Sequence, residues 1–284
     1  MIWAAAQGKV NLHFQVGELQ PDGYHPVVSL YQALDLEERV GVEESSAWSV
    51  EVVSQLPNLG EIPLDESNLV VKAAKALAAS VGINNPQPMH FEIHKRVPVA
   101  GGMAGGSADA AAALVALNEA WCLGLDQSAL MKVGASIGAD VPFAILGGTA
   151  LGSGTGIELA RHARVISQPI VLLINHKPLS TKAVFAEFDR LNLAKQLQVP
   201  NFLIGNDWLG KNSLTEAAFS LLPELRELAN VDFGCGSGML SGSGPTLWYL
   251  AGDQAAAEVC ADNIRGAGYE SVIANPSDLG SRLI

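Results

Sequence analysis

Lys95-Arg96-Val97-Pro98-Val99-Ala100-Gly101-Gly102-Met103-Ala104-Gly105-Gly106-Ser107-Ala108-Asp109 runs from an alternating segment, through four glycines, into an alanine-rich one. The alternation over 89–97 predicts a strand. The alanine run has high helix propensity, and Leu114, Leu117 and Trp121 recur at helical spacing, so a helix is expected over 107–121 with Ser107 as its N-cap. Glycines remove Cβ atoms and let backbone N–H groups wrap an anion. A helix N-terminus adds unpaired donors and the positive end of a dipole. A strand, a glycine loop and a helix start therefore predict a cradle for a di- or triphosphate; the alternative is a connection packed tightly on a neighbour. Gly106 is followed by Ser rather than Lys, and no G-x-G-x-x-G occurs here, so neither a Walker A loop nor a dinucleotide fingerprint is present.

Working outward, residues 9–16 alternate and predict a half-buried strand with Lys9, Asn11 and His13 on its polar face. Pro21-Asp22-Gly23 marks a turn within 17–25. Strands are expected at 48–53, 170–175, 245–250 and 269–274, and weakly at 147–156. Helices are expected at 69–81, 127–137, 181–195, 213–229 and 254–267. A second Gly/Ser segment, Leu240–Thr246, reads as a turn before a strand. Strands and helices mix in both halves, which gives an α+β class. A boundary within 155–168 divides the chain into an N-terminal domain, 1–160, carrying the loop, and a C-terminal domain, 161–284.

The 284 residues are 49% hydrophobic, too apolar for a disordered acidic chain. With 17 Lys+Arg against 29 Asp+Glu the net charge is −12, which argues against nucleic acid as a partner. Cys122, Cys235 and Cys260 form no CxxC, so neither a disulfide framework nor a zinc site is indicated, and a reducing cytoplasm is expected. The apolar run 170–174 is far short of the ~20 residues of a membrane span, and no targeting segment is read at the N-terminus. His90, Glu92 and His94 share a strand face, but positions four apart lie ~13 Å apart, too far to chelate one ion.

Two charges stand alone. Lys9 is the single charged residue of 1–17, and Asp140 that of 133–157. A partly buried charge is costly without a partner, and each is a candidate partner for the other; a surface lysine and a helix-end carboxylate are the plain alternatives. A desolvated Lys/Asp pair is a general-base arrangement.

Gly8-Lys9-Val10-Asn11-Leu12, the segment Pro98–Ala112 and the loop Ser241–Thr246, in that order, resemble the GHMP kinase superfamily across nearly the whole chain. Pro21-Asp22-Gly23-Tyr24-His25, Gly138–Phe143, Gly147–Ala150 and Gly205-Asn206-Asp207 sharpen the resemblance to the branch acting on a cytidine diphosphate-linked methylerythritol. The resemblance implies a two-domain GHMP kinase fold, with an N-terminal domain of the ribosomal protein S5 second-domain type. It implies ATP, delivered with Mg2+, as phosphoryl donor and a small-molecule alcohol as acceptor. Lys9 and Asp140 fall on the catalytic pair. Pro98, Val99, Ala100, Gly101, Gly102, Met103, Ala104, Gly105, Gly106, Ser107 and Ala108 fall on the ATP segment, with Asn68 and Lys95 near the adenosine. Asn11, Tyr24, His25, Thr181 and Phe185 fall on the substrate side, Tyr24 and Phe185 flanking the cytosine and His25 bonding to it; Phe185 also reads as a helix-core aromatic. No protein ligand to a metal is assigned, and a monomer or weak homodimer is expected. Gly8, Ala104, Ala108 and Ile157 depart from the family's usual residues. A kinase for homoserine or mevalonate, and a nucleotide-binding paralogue without catalysis, are the competing readings.

Overall fold

The structure, a computed structural model, describes residues 1–56, 61–98, 101–177 and 179–284. Two sheets organise it. The larger contains β1 (Ile2–Val16), β2 (Val27–Glu44), β3 (Ser49–Ser54), β4 (Met89–Lys95), β5 (Thr149–Ser153), β6 (Glu158–His162) and β11 (Arg282–Leu283). Its order is β11-β1-β2-β4-β3, with the β5–β6 hairpin joined to β2. Only the β3–β4 pair is parallel among the described strands. The smaller sheet is ordered β10-β7-β9-β8, from β7 (Ile170–Ile174), β8 (Met239–Leu240), β9 (Leu247–Leu250) and β10 (Glu270–Ala274).

Helices α1 (Leu69–Ser80), α2 (Gly105–Ala120), α3 (Gln127–Ala135) and α4 (Val141–Leu146) cover the larger sheet, with Val70, Leu77, Phe91, Leu114 and Ile145 in one core. A second core joins the smaller sheet to α5 (Thr181–Arg190), α6 (Thr215–Leu221), α7 (Pro223–Ala229) and α8 (Gln254–Gly266) through Val171, Phe188, Leu225 and Ile264. Strand β1 serves both: Ala4 and Ala6 lie in the first core, Phe14 and Val16 in the second.

The structure departs from the sequence expectations in four places. Strand β1 is buried on both faces from Ala4 to Phe14, not half-exposed. Polar Lys9, Asn11 and His13 are only 4%, 3% and 1% exposed, because loops from both halves close over them. Helix α2 begins at Gly105, not at Ser107, and its cap position is Ala104 in the left-handed conformation, φ 58°, with no side-chain cap. The single helix expected at 213–229 is two, broken at Leu222 where Pro223 starts α7, since proline cannot continue a helix behind it. Strand β2, the longest, offers no alternation to read: Val27–Leu34 is buried on both faces, and Asp35, Glu37, Glu38 and Arg39 interrupt the second half of the strand.

Candidate active site

Between the sheets lies a cleft of about 1000 Å3. It collects residues from β1, the turn at 23–25, the glycine loop, the start of α4, helix α5 and the loop at 242–244. Lys9 reaches it from a strand interior. Its ammonium donates to Asn11 Oδ1 at 2.6 Å and to the Gly102 carbonyl at 3.0 Å, and stands 3.8 Å from Asp140 Oδ2. Burial lowers the Lys9 pKa, and the Asp140 carboxylate opposes that fall. Asp140 occupies the cap position of α4 but its side chain makes no cap bond there. The carboxylate is instead turned to Lys9, with 32% of the side chain exposed.

Tyr31, from β2, supports the pair from one side. Its ring lies 5.7 Å below the Lys9 ammonium and stacks on Phe143 of α4 at 4.9 Å. A cation over an aromatic face is favoured by the ring quadrupole. Burial lifts the phenol far above its usual titration range, so it stays neutral.

The glycine loop is pressed onto the second Gly/Ser loop. Ser241 Oγ donates to the Gly102 carbonyl at 3.0 Å. A Cβ at Gly102, whose φ is +71°, would lie 2.1 Å from the Ser241 carbonyl oxygen. Gly101, Gly102 and Gly105 are packing glycines, while Gly106 and Ser107 lie in the first turn of the uncapped helix on the cleft wall. The first N–H groups of a helix without a side-chain cap are donors looking for an acceptor.

At the other end of the cleft, His25 Nδ1–H donates to the Gly17 carbonyl at 2.8 Å, and Nε2 faces Asp189 Oδ1 at 3.4 Å. The His25 ring is 5.4 Å from that of Phe185. Thr181 Oγ1 bonds Ser243 Oγ at 2.9 Å. Tyr24 stands 64% exposed at the rim.

Residues 68–148 match the GHMP kinases N terminal domain. Over 278 residues the chain is 44% identical to a 4-diphosphocytidyl-2-C-methyl-D-erythritol kinase of Nocardia farcinica, covering 93% of this chain and 89% of that one. The chain belongs to that kinase family. A solved 4-(cytidine 5'-diphospho)-2C-methyl-D-erythritol kinase superposes with a TM-score of 0.77 at 28% identity, over 97% of this chain and 100% of the other. A homoserine kinase from Cytophaga hutchinsonii, 20% identical, shares the fold with a TM-score of 0.73, over 100% of this chain and 97% of the other.

Within this kinase, the cleft unites Lys9, Asn11, Tyr24, His25, Gly101, Gly102, Ala104, Gly105, Gly106, Ser107, Asp140, Thr181 and Phe185. Other residues of the expected set lie elsewhere. Pro98 is buried. Met103 is in the core beside Val10 and Val97. Ala108 is fully buried in the core beneath α2, so its missing hydroxyl removes no group from the cleft wall. Val99 and Ala100 are outside the described residues. Asn68 caps α1, accepting from Val70 N at 3.0 Å and donating to the Pro63 carbonyl at 2.6 Å. It lines a neighbouring cavity of about 170 Å3 with Lys95. Leu69 and Gly106 wall both cavities, so the two adjoin.

Among the cleft residues that the sequence reading did not single out are Asp189, Tyr31 and Ser243. Asp189 follows Phe185 by four positions, as Phe185 follows Thr181, so extending that helical face by one turn finds it. Tyr31 lies on the strand that shows no period. Ser243 sits in the second Gly/Ser loop, which reads as a turn by its local pattern and carries part of the family resemblance.

Proposed function

We propose that the chain transfers the γ-phosphoryl group of ATP to the 2-hydroxyl of 4-diphosphocytidyl-2-C-methyl-D-erythritol, a step of the non-mevalonate route to isoprenoid precursors. The observation that carries the reading is the Lys9–Asp140 pair, 3.8 Å apart, in one cleft with the uncapped start of α2. The backbone N–H groups of Gly105, Gly106 and Ser107 hold phosphate oxygens. Asp140 accepts the proton of the attacking hydroxyl. Lys9 orients Asp140 and stabilises charge on the phosphoryl group in transit. Phosphoryl transfer depends mainly on positioning and electrostatics, so this small set suffices. Tyr24, His25 and Phe185 receive the cytosine, and Thr181 and Asn11 the rest of the alcohol.

Mg2+ enters with ATP. Among the described residues no three His, Cys, Asp or Glu side chains cluster as a metal site, and Ser107 offers a hydroxyl beside Gly106 on the cleft wall. That sparse donor set fits a hard cation held mainly by phosphate oxygens and water, with Ser107 as the residue that would hold it. When bound, the ion neutralises charge on the phosphates. The reading includes a cytoplasmic enzyme acting as a monomer or weak homodimer; none of the described helices is long and apolar enough to cross a membrane.

ATP consumption measured with the cytidyl alcohol, homoserine and mevalonate tests the assignment. Turnover is expected with the first alone. Equal turnover with mevalonate overturns the substrate assignment, and ATP binding without turnover on any alcohol overturns catalysis itself. In the same assay Tyr31→Leu is expected to lower kcat about tenfold by removing the ring beneath Lys9. Tyr31→Phe keeps the ring face and should stay within about twofold of wild type; equal losses in both would point to the phenol and not the ring.

A further inference from the structure

Three charged side chains that the reaction does not use are buried behind the glycine loop. Lys95, at the end of β4, bonds Glu38 Oε1 of β2 at 2.6 Å and Asp109 Oδ2 of α2 at 2.8 Å. Their side chains are 2%, 0% and 7% exposed, in that order. Glu38 is also bound to the chain just before the loop. Its Oε2 accepts from Arg96 N at 2.9 Å and its Oε1 from Val97 N at 3.2 Å. The far end of the loop rests on the same cluster: a Cβ at Gly105 would lie 3.1 Å from Glu38 Oε1 and 3.2 Å from Lys95 Nζ.

Burying three charges is expensive, and an apolar cluster of the same volume commonly stabilises a fold as well or better. The arrangement makes sense as a joint. A loop with Gly101, Gly102, Gly105 and Gly106 has wide backbone freedom, while anion binding by N–H groups works only if they are fixed before the anion arrives. Glu38 fixes where the chain leaves β4. Lys95 bridges Glu38 to Asp109, which sits in the first turns of α2, the helix whose start carries the phosphate donors.

We infer that Glu38 is a positioning residue for the nucleotide, acting through Lys95, Asp109 and the two N–H groups it accepts to hold both ends of the phosphate-binding loop. The inference rests on the ATP-dependent reading above. Burial and the neighbouring Asp109 push the Glu38 carboxyl up, against Lys95; burial likewise pushes Asp109 up. Burial also works against the Lys95 ammonium, yet the two carboxyl groups outweigh it and keep it charged. One cation shared by two carboxyl groups limits the negative charge behind the phosphate site.

The test is Glu38→Gln. The amide keeps the size but has one acceptor oxygen for three donors. The dissociation constant of a non-hydrolysable Mg-ATP analogue, measured calorimetrically without the alcohol, is expected to rise about tenfold. The KM of the cytidyl alcohol, at saturating ATP, should change less than twofold. Asp109→Asn, which keeps an oxygen for Lys95, serves as the second variant and is expected to weaken the analogue about threefold. Analogue affinity unchanged in both variants overturns the inference. So does a parallel loss for analogue and alcohol that tracks a fall in Tm, which would make the cluster a plain support of the fold. A wild-type protein that binds no analogue overturns the ATP-dependent reading itself, an outcome distinct from the other two.

Discussion

Asp140→Asn is expected to lower kcat at least about 1000-fold while leaving the fold and the nucleotide site intact. The carboxylate is a partly exposed side chain with no cap bond to lose, and its contact is with the Lys9 ammonium 3.8 Å away. Asparagine keeps the shape and removes both the proton acceptor and the charge. Steady-state kinetics beside a thermal melt separates the outcomes: turnover within tenfold of wild type would remove Asp140 from the reaction, and a large fall in Tm would make it structural. The variant also acts on Lys9. Burial already lowers the Lys9 pKa and Asp140 resists that, so without the carboxylate it falls further. A lysine with a lowered folded pKa binds fewer protons folded than unfolded, so stability rises with pH between the lowered value and the ordinary 10.5. In Asp140→Asn that rise begins at lower pH, which melts taken along a pH series will show.

The second large effect is expected at Gly102. Its φ of +71° is in the region that costs a residue with a Cβ about 1–2 kcal/mol. An alanine Cβ would also stand 2.1 Å from the Ser241 carbonyl oxygen, a backbone atom that no rotamer change can move aside. Overpacking of this kind costs about 1–3 kcal/mol. Relief requires the two loops to part, and the Gly102 carbonyl is the acceptor for both Lys9 and Ser241. Gly102→Ala is therefore expected to lower kcat/KM by about 100-fold or more and Tm by about 4–10 °C. Gly106→Ala is the control for stability. Its nearest neighbour would be Leu69 Cδ1 at 3.4 Å, an ordinary contact, and it lies in the first turn of α2. A Tm for Gly102→Ala equal to that of Gly106→Ala would show that the loop yields freely.

Much of the site is legible because its chemistry is rare in this composition. Lys9 and Asp140 stand out as lone charges in apolar segments, and the structure brings them face to face. The glycine loop announces a helix start, although the cap position is Ala104, three residues before the serine. A serine there looks like a cap from local propensity; the chain instead enters through Ala104 in a left-handed turn and leaves its donors uncapped. What stays hidden lies in residues whose burial is imposed from elsewhere. Glu38 reads as one of several acids on an irregular stretch. It is fully buried because β4, on one side, brings Lys95 against it and α2 brings Asp109 to the same lysine. Lys95 is expected near the adenosine; the structure places it on the cavity that adjoins the cleft, its ammonium paired with those two carboxyl groups.

By itself the sequence determined the mixed α+β character, the glycine-rich loop before a helix, the two isolated charges and the family they belong to. These depend on local spacing and on residue types that one chain segment displays unaided. Only the tertiary structure decided that β1 is buried on both faces, that Gly102 packs against the Ser241 carbonyl and Gly105 against Glu38 and Lys95, and that a buried Glu38–Lys95–Asp109 joint stands behind the loop. Each of those is a contact between segments far apart in the chain, set by which surfaces close over one another, and no local periodicity encodes it.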